Sequence, residues 1–311
     1  MTAFTPAYLD LLANGELAAR ADAADEHMKS CDLCAWTCRA NRLAGKTGTC
    51  KTGPLARVSS FFPHMGEEDP LRGWCGSGTI FFAFCNLRCV YCQNFEISHE
   101  AEGQDVTPEQ IAAMMLALQA QGCHNVNFVS PSHVVAPILR AVLIAAENGL
   151  RLPLVWNTGG YDSLAALKLL DGVVDIYMPD MKYGDAKVGR TYSNVPDYPK
   201  HNQRALKEMH RQVGDLVLDA DGIALRGLLV RHLVLPGGLA GTREVMRFLA
   251  RLSRDTYVNV MPQYRPAFKA AREDMGDLSR PVTRAEVEAA VQLARAAGLH
   301  RFDERRGGAF F

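Results

Sequence analysis

Short apolar runs alternate with longer segments of helical periodicity from residue 79 to residue 297. The runs predict buried strands over Thr79–Phe84, Asn125–Val129, Leu152–Thr158, Val173–Pro179, Gly227–Leu235 and Thr256–Met261. The other segments predict helices over Thr107–Gln121, Val134–Asn148, Ser163–Leu170, Asn202–Val213, Thr242–Leu252 and Thr283–Ala297. Because apolar strands that alternate with helices form a parallel sheet covered by helices, the pattern predicts an α/β fold of six strand–helix units.

Local signals support several of these boundaries. Thr107 with Gln110, and Thr283 with Glu286, have the spacing of a capping box at a helix start. Asp221-Gly222 predicts the tight turn of a hairpin. Polar residues that follow the strands are candidates for a site, because chemistry in parallel α/β folds lies at the carboxyl ends of the strands.

The N-terminal part of the chain has a different pattern. Residues 1–30 predict a helix, and residues 31–53 form a polar stretch with four cysteines and little apolar sequence. The chain through Gly78 is punctuated by Gly and Pro and predicts a connector. We therefore expect two parts, a helix with a cysteine-rich metal-binding appendage over residues 1–74 and an α/β core over residues 75–311.

Composition limits which binding partners and which cellular compartment we expect for this protein. The 34 Lys and Arg balance the 34 Asp and Glu, so charge gives no reason to expect nucleic acid or a membrane as a partner. No segment has the ~20 apolar residues of a membrane span, and no secretory leader is recognisable. We expect a cytoplasmic protein, in which clustered cysteines bind metal more often than they form disulfides. Eight of the nine cysteines lie between Cys31 and Cys92.

Three cysteines follow the first predicted strand with the spacing Cys85-x3-Cys89-x2-Cys92. Three thiolates can hold three corners of a cubane iron–sulfur cluster and leave the fourth iron open for a reactant. The alternative is a zinc site of these three cysteines with His99, although zinc ligands usually occur as close pairs.

This motif, with Tyr91 before its last cysteine, resembles the radical S-adenosylmethionine (SAM) superfamily. The resemblance implies a partial (β/α)6 TIM-like barrel, a [4Fe-4S] cluster on Cys85, Cys89 and Cys92, and SAM on the open iron. It also implies a 5′-deoxyadenosyl radical that abstracts hydrogen, and a reduced flavodoxin or ferredoxin-type electron donor. The likeness is greatest to the pyruvate formate-lyase activating enzymes and to relatives with an N-terminal cysteine appendage, which makes a protein substrate a candidate partner.

The resemblance also implies the residues of the SAM site, which lie at successive strand ends. They are Tyr91, Asn94, Ser130, Pro131, Asn157, Thr158, Asp180, Lys182, Arg231 and Asn259. Lys182 and His133 are candidate catalytic residues, and the alternative for Lys182 is an ion pair with Asp180. The chain departs from the activating enzymes where Ser130-Pro131-Ser132-His133 replaces their Gly-Gly-Glu segment, and where Asn157 replaces an acid. Carbonyls of Ser130 and Pro131 can still accept hydrogen bonds from the amino group of SAM.

Four further cysteines, Cys31, Cys34, Cys38 and Cys50, provide a complete ligand set for a second centre. Thiolates suit both a structural zinc ion and a closed iron–sulfur cluster, so the cysteines alone do not identify the metal. Such a centre would either relay electrons or stabilise the appendage.

The predicted function is reductive cleavage of SAM followed by hydrogen abstraction from a protein glycine or another substrate. A metal-binding scaffold or electron carrier that has lost SAM chemistry is the alternative that the missing Gly-Gly-Glu segment favours. A hydrolase with zinc at Cys85, Cys89 and Cys92 is a third possibility.

Overall fold

The computed structural model describes residues 4–303, in which the helices and strands follow the predicted alternation. The strands are β1 (Ala56–His64), β2 (Ser77–Phe82), β3 (Gln104–Val106), β4 (Val126–Val129), β5 (Leu154–Thr158), β6 (Ile176–Pro179), β7 (Val217–Leu218), β8 (Ala224–Leu233), β9 (Tyr257–Met261) and β10 (Arg301–Phe302). The α-helices are α1 (Tyr8–Ala13), α2 (Glu16–His27), α3 (Asp69–Arg72), α4 (Phe95–Ser98), α5 (Pro108–Ala120), α6 (Val135–Glu147), α7 (Leu164–Leu170), α8 (Ala186–Ser193), α9 (Tyr198–Val213), α10 (Thr242–Leu252) and α11 (Arg284–Ala296).

One sheet organises the chain, with the strand order β10-β9-β8-β6-β5-β4-β2-β1-β3. The six strands predicted from the apolar runs are β2, β4, β5, β6, β8 and β9, and neighbours among them pair in parallel. Antiparallel β1 and β3 extend one edge, and β10 pairs in parallel with β9 at the other. The predicted fold class, a partial barrel of six parallel strands with helices, is confirmed.

The local signals in the sequence are also confirmed. Both capping boxes are present, with Thr107 and Gln110 at the start of α5 and Thr283 and Glu286 at the start of α11. β7 and β8 form the predicted antiparallel hairpin, and Gly222 in its turn has a φ of +83°, which favours glycine.

Two predictions for the N-terminal part were wrong in detail. The single helix over residues 1–30 is divided into α1 and α2 at Gly15, which has a φ of +80°. The connector before Gly78 contains the nine-residue strand β1, which pairs with β2. The Gly and Pro residues that predicted a connector flank β1 or occur near its end, so they do not interrupt its pairing. The boundary after residue 74 stays a prediction, since β1 belongs to the sheet on the other side of it.

Two apolar layers hold the sheet in place. Outside the barrel, α1 and α2 pack with α6, and Leu17 lies in the same buried core as Ile138 and Val142. Inside, Leu71 of α3 packs against Val155, Ile176, Met178 and Leu229 from the inner face of the strands. The carboxyl ends of the strands stay free for a site. No helix within residues 4–303 is both long and apolar enough to cross a membrane.

Candidate functional site

A cavity lies at the carboxyl ends of β2, β4, β5, β6 and β8. It brings together most of the residues predicted to bind the cluster and SAM, namely Cys85, Cys89, Cys92, Asn94, Ser130, Asn157, Thr158, Asp180, Lys182 and Arg231. Phe81, Phe82, Leu87, Ile97 and Val129 are apolar side chains of the same lining. The cavity therefore has three thiols near two cationic side chains, with an apolar wall.

The cysteine loop that follows β2 is fixed by backbone hydrogen bonds to distant segments. The amides of Arg88 and Val90 donate to the carbonyls of Ser193 and Tyr192, at 3.2 and 2.8 Å. The amide of Ala270 donates to the carbonyl of Val90, at 3.0 Å. These contacts hold the loop, which contains little regular structure, in one conformation.

Two thiols of this loop, those of Cys85 and Cys89, are costly to ionise in the metal-free protein. Burial raises the pKa of Cys85 to about 12 and also raises the pKa of Cys89, while the positive charge of Lys182 lowers both pKa values. Because a metal replaces the thiol proton with positive charge, the site favours metal binding over free thiolates.

A chain of buried hydroxyl groups ends on the sulfur of Cys89. Ser193 donates to Cys89 Sγ at 2.9 Å, so its only hydrogen is used and it accepts from Tyr183 at 2.6 Å. Tyr183 in turn accepts from the hydroxyl of Tyr91 at 2.6 Å. Tyr91 is not part of the cavity lining, and its hydroxyl is used in this chain.

A buried carboxylate joins the two cations of the cavity. Asp180, after β6, binds Lys182 Nζ at 2.6 Å through Oδ2 and Arg231 Nε at 2.9 Å through Oδ1. Arg231 also donates to Asn157 Oδ1 at 2.6 Å. Burial alone would raise the pKa of Asp180, but attraction to Arg231 and Lys182 holds that pKa below its ordinary value. The alternative that the sequence suggested for Lys182, a pair with Asp180, is present.

The turn after β4 is formed by Ser130-Pro131-Ser132-His133. Ser130 has a φ of +58° and precedes the 3₁₀ turn Pro131–His133. His133 is buried outside the cavity lining, and its Nε2 lies 3.0 Å from the carbonyl oxygen of Ala83. Burial lowers the pKa of His133 to about 4, so its imidazole is neutral at pH 7. Pro131 likewise lies outside the lining.

Other contacts of the strand ends come from residues that sequence reasoning did not select. Asn259 lies outside the lining and donates to Glu68 Oε1 at 2.9 Å, and Glu67 Oε2 lies 3.9 Å from Arg231 Nη1. Asp162 accepts from Thr158 at 2.7 Å. Glu68 lies 191 positions before Asn259 in the sequence, and no motif marks Glu67, Glu68 or Ser193.

The N-terminal cysteines lie together beside the cysteine loop. Cys31, Cys34 and Cys50 are buried and Cys38 is exposed. Cys34 is close enough to interact electrostatically with the other three. Trp36, between these cysteines, donates from Nε1 to the carbonyl of Asn86 at 2.6 Å, next to Cys85. Among residues 4–303, no three His, Cys, Asp or Glu side chains are already spaced around a single metal ion.

The ion set around Asp180 predicts a large cost when its carboxylate is neutralised. Asp180→Asn leaves the part-buried Lys182 without its anion and leaves Arg231 only its 3.9 Å contact with Glu67. The free energy of unfolding of the metal-free protein should therefore fall by up to about 3–5 kcal/mol. Asp171→Asn is the matched control, because its pair with Arg211 is solvent-exposed and should contribute no more than about 1 kcal/mol. Urea denaturation measures both, and equal losses would show that the buried set is unimportant for stability.

Comparisons with known proteins agree with this geometry. The sequence model of the Radical SAM superfamily matches residues 79–219, which include the cysteine loop and β4 to β6. An uncharacterised protein of Methanocaldococcus jannaschii is 32% identical over 281 residues, which cover 87% of this chain and 76% of that protein.

Among solved structures, TYW1 with a lysine–pyruvate adduct bound has a TM-score of 0.43 at 12% identity, over 72% of this chain and 74% of that chain. Methylornithine synthase has a TM-score of 0.47 at 17% identity, over 70% of this chain and 62% of that chain. The family match and the extent of the archaeal relative decide the assignment: the chain belongs to the radical SAM superfamily.

Proposed function

We propose that this radical SAM enzyme cleaves SAM reductively beside Cys85, Cys89 and Cys92, and that the 5′-deoxyadenosyl radical abstracts hydrogen from a protein glycine or another substrate. The observation that carries the proposal is the shared cavity, in which three thiols lie with polar groups from β4, β5, β6 and β8. Among the described residues that line it, the three motif cysteines have no fourth cysteine beside them.

The residues present fit a [4Fe-4S] cluster and SAM by their chemistry. Three thiolates suit an iron–sulfur cluster with one open iron. When bound, the cluster supplies the electron that cleaves the sulfonium of SAM. Lys182 and Arg231 provide positive charge for the carboxylate of SAM, and the carbonyl of Ser130 is the proposed acceptor for its amino group. Pro131 supports this turn from outside the lining, since its carbonyl accepts from the amide of Val134 at 2.8 Å.

The other predicted residues differ in whether they line the cavity and could contact SAM directly. Asn94, Asn157 and Thr158 line the cavity and offer hydrogen bonds to SAM, whereas Tyr91 and Asn259 would act from behind the lining. The contact of His133 with the carbonyl of Ala83, two residues before Cys85, favours positioning of the cysteine loop over a catalytic role.

The finer assignment, an activating-enzyme-like reaction on a protein glycine, rests on the strand-end segments that resemble those enzymes. A low-potential one-electron carrier of the flavodoxin or ferredoxin type is the proposed donor. We also propose that Cys31, Cys34, Cys38 and Cys50 hold a second centre, an iron–sulfur cluster or zinc.

Release of 5′-deoxyadenosine tests the proposal. Anaerobically reconstituted protein is reduced with dithionite and supplied with SAM, and the product is quantified by chromatography. We expect product from the native chain and from Cys123→Ala, which removes a buried cysteine outside the cavity lining, and none above background from Cys89→Ala. Equal yields from native and Cys89→Ala protein, or no product together with no effect of SAM on the cluster's EPR signal, would reject it.

The hydroxyl chain that ends on Cys89 Sγ predicts how two substitutions will shift the midpoint potential of the cluster. The hydrogen bond from Ser193 stabilises electron density on Cys89 Sγ, so Ser193→Ala should lower the midpoint potential. Tyr183→Phe keeps the ring and removes only the polarising hydroxyl, so its shift should have the same sign and be smaller. EPR-monitored redox titration measures both potentials, and an unchanged potential in Ser193→Ala would show that this contact does not act on the cluster.

A further inference from the structure

Arg42, in the short 3₁₀ turn Arg42–Ala44, is a buried cation with an unusual set of partners. It is 1% exposed. Its guanidinium donates to the carbonyl of Gly53 from Nε at 3.0 Å and from Nη2 at 2.7 Å, and to the carbonyl of His133 from Nη1 at 2.7 Å. Its fourth contact is the sulfur of Cys31, 3.9 Å from Nη1.

Two part-buried cations of the described chain, Arg231 and Lys182, have the counter-charge that Arg42 lacks. Arg231 and Lys182 share the carboxylate of Asp180, whereas no carboxylate of residues 4–303 forms an ion pair with Arg42. Carbonyl oxygens satisfy the hydrogen bonds of a guanidinium but do not neutralise its charge. A buried charge without a counter-charge costs several kcal/mol, so this position calls for an anion.

The groups next to Arg42 that can become anionic are the N-terminal cysteines. Cys31 contacts the guanidinium, and Cys34 is within electrostatic reach of Cys31, Cys38 and Cys50. Cysteines bind metal as thiolates and release their protons to solvent. Four thiolates carry more negative charge than either a zinc ion or a four-iron cluster core carries positive charge, so both centres are net anions.

We propose that Cys31, Cys34, Cys38 and Cys50 hold an anionic tetrathiolate metal centre whose counter-cation is Arg42. This inference deepens the second centre proposed above, because it names the residue that compensates its charge. Within residues 4–303 the four thiols do not converge on the position of a single ion. Binding would therefore either close the loop of the exposed Cys38 onto the three buried cysteines or fill the wider spacing with a cluster.

The same arginine joins the centre to the cavity. Its bond to the carbonyl of His133 reaches the turn that begins with Ser130, a cavity residue. Trp36 makes a second connection, to the carbonyl of Asn86 in the cysteine loop. A metal at the N-terminal cysteines would thus stabilise two segments that line the SAM cavity.

The test uses the full chain with Cys75, Cys85, Cys89, Cys92 and Cys123 all changed to Ala, so that the N-terminal cysteines are the cysteines that remain in this parent. The parent is reconstituted anaerobically with iron and sulfide, or with zinc alone, and its bound metal, acid-labile sulfide and metal affinity in chelator competition are measured. Iron with sulfide identifies a cluster, zinc without sulfide identifies a zinc centre, and either supports the proposal. A parent that binds neither overturns it.

Arg42→Met tests the counter-charge in this background. Changing such a supporting residue lowers metal affinity by roughly 10–100-fold, and we expect that loss. Arg39→Ala is the matched control, since Arg39 lies in the same loop but is exposed and pairs with Asp32; its affinity should equal that of the parent. Equal affinities of Arg42→Met and Arg39→Ala would overturn the role of Arg42.

Arg42→Lys covers the case in which Arg42→Met does not fold, which circular dichroism shows. Lysine keeps the charge, so an affinity within about tenfold of the parent supports the proposal, and a larger loss overturns it. None of these proteins can cleave SAM, so failure here leaves the 5′-deoxyadenosine result unaffected. Failure of that assay in the native chain likewise leaves the metal measurements intact.

Discussion

The pairing of Asp180 with Lys182 and Arg231 is the interaction on which the site depends. A buried carboxylate and two part-buried cations at the end of a sheet are stable only when each has a partner, and this set provides one for each. It also joins three strands, since Asp180 follows β6, Arg231 belongs to β8, and Asn157 of β5 accepts from Arg231. The positive charge of Lys182 also acts on the thiols of Cys85 and Cys89 and lowers their pKa values. The same bonds therefore hold the cavity walls and supply the positive charge that faces the thiols.

The parallel sheet makes this arrangement possible. Leu71 and its apolar partners fill the inner side of the barrel, so polar side chains gather at the carboxyl ends of the strands. The cysteine loop is then fixed from outside the motif by Ser193, Tyr192 and Ala270. The hydroxyl chain through Tyr183 also comes from the region after β6, so one part of the chain positions the loop and polarises its sulfur.

Local sequence was sufficient to predict the features that depend only on residues close together in the chain. Each parallel strand is a short apolar run, and each capping box needs only residues three positions apart. The cysteine spacing led to the right superfamily for the same reason, because three ligands of one cluster lie within eight residues. Strand alternation also placed Ser130, Asn157 and Asp180 at one end of the sheet, where the cavity lies.

Contacts between distant segments could not be predicted in this way. β1 is stabilised by pairing with β2, while its own composition and its flanking Gly and Pro residues suggested a connector. Glu68 meets Asn259 across 191 positions, and Arg42 reaches His133 across 91. Ser193 has no motif around it, and its importance follows only from its distance to Cys89. Burial of a polar group gives the clearest indication of such residues, and burial is a property of the fold.

The central claim is that an open iron at Cys85, Cys89 and Cys92 binds SAM directly. Electron–nuclear double resonance tests it on the reduced native chain, in the presence of SAM labelled with ¹⁷O in its carboxylate and ¹⁵N in its amino group. The protein with Cys85, Cys89 and Cys92 changed to Ala provides the blank spectrum for the N-terminal centre. Hyperfine coupling of both labels to the cluster is the predicted result. A cluster that shows neither coupling, with an EPR spectrum unchanged by SAM, would contradict the claim.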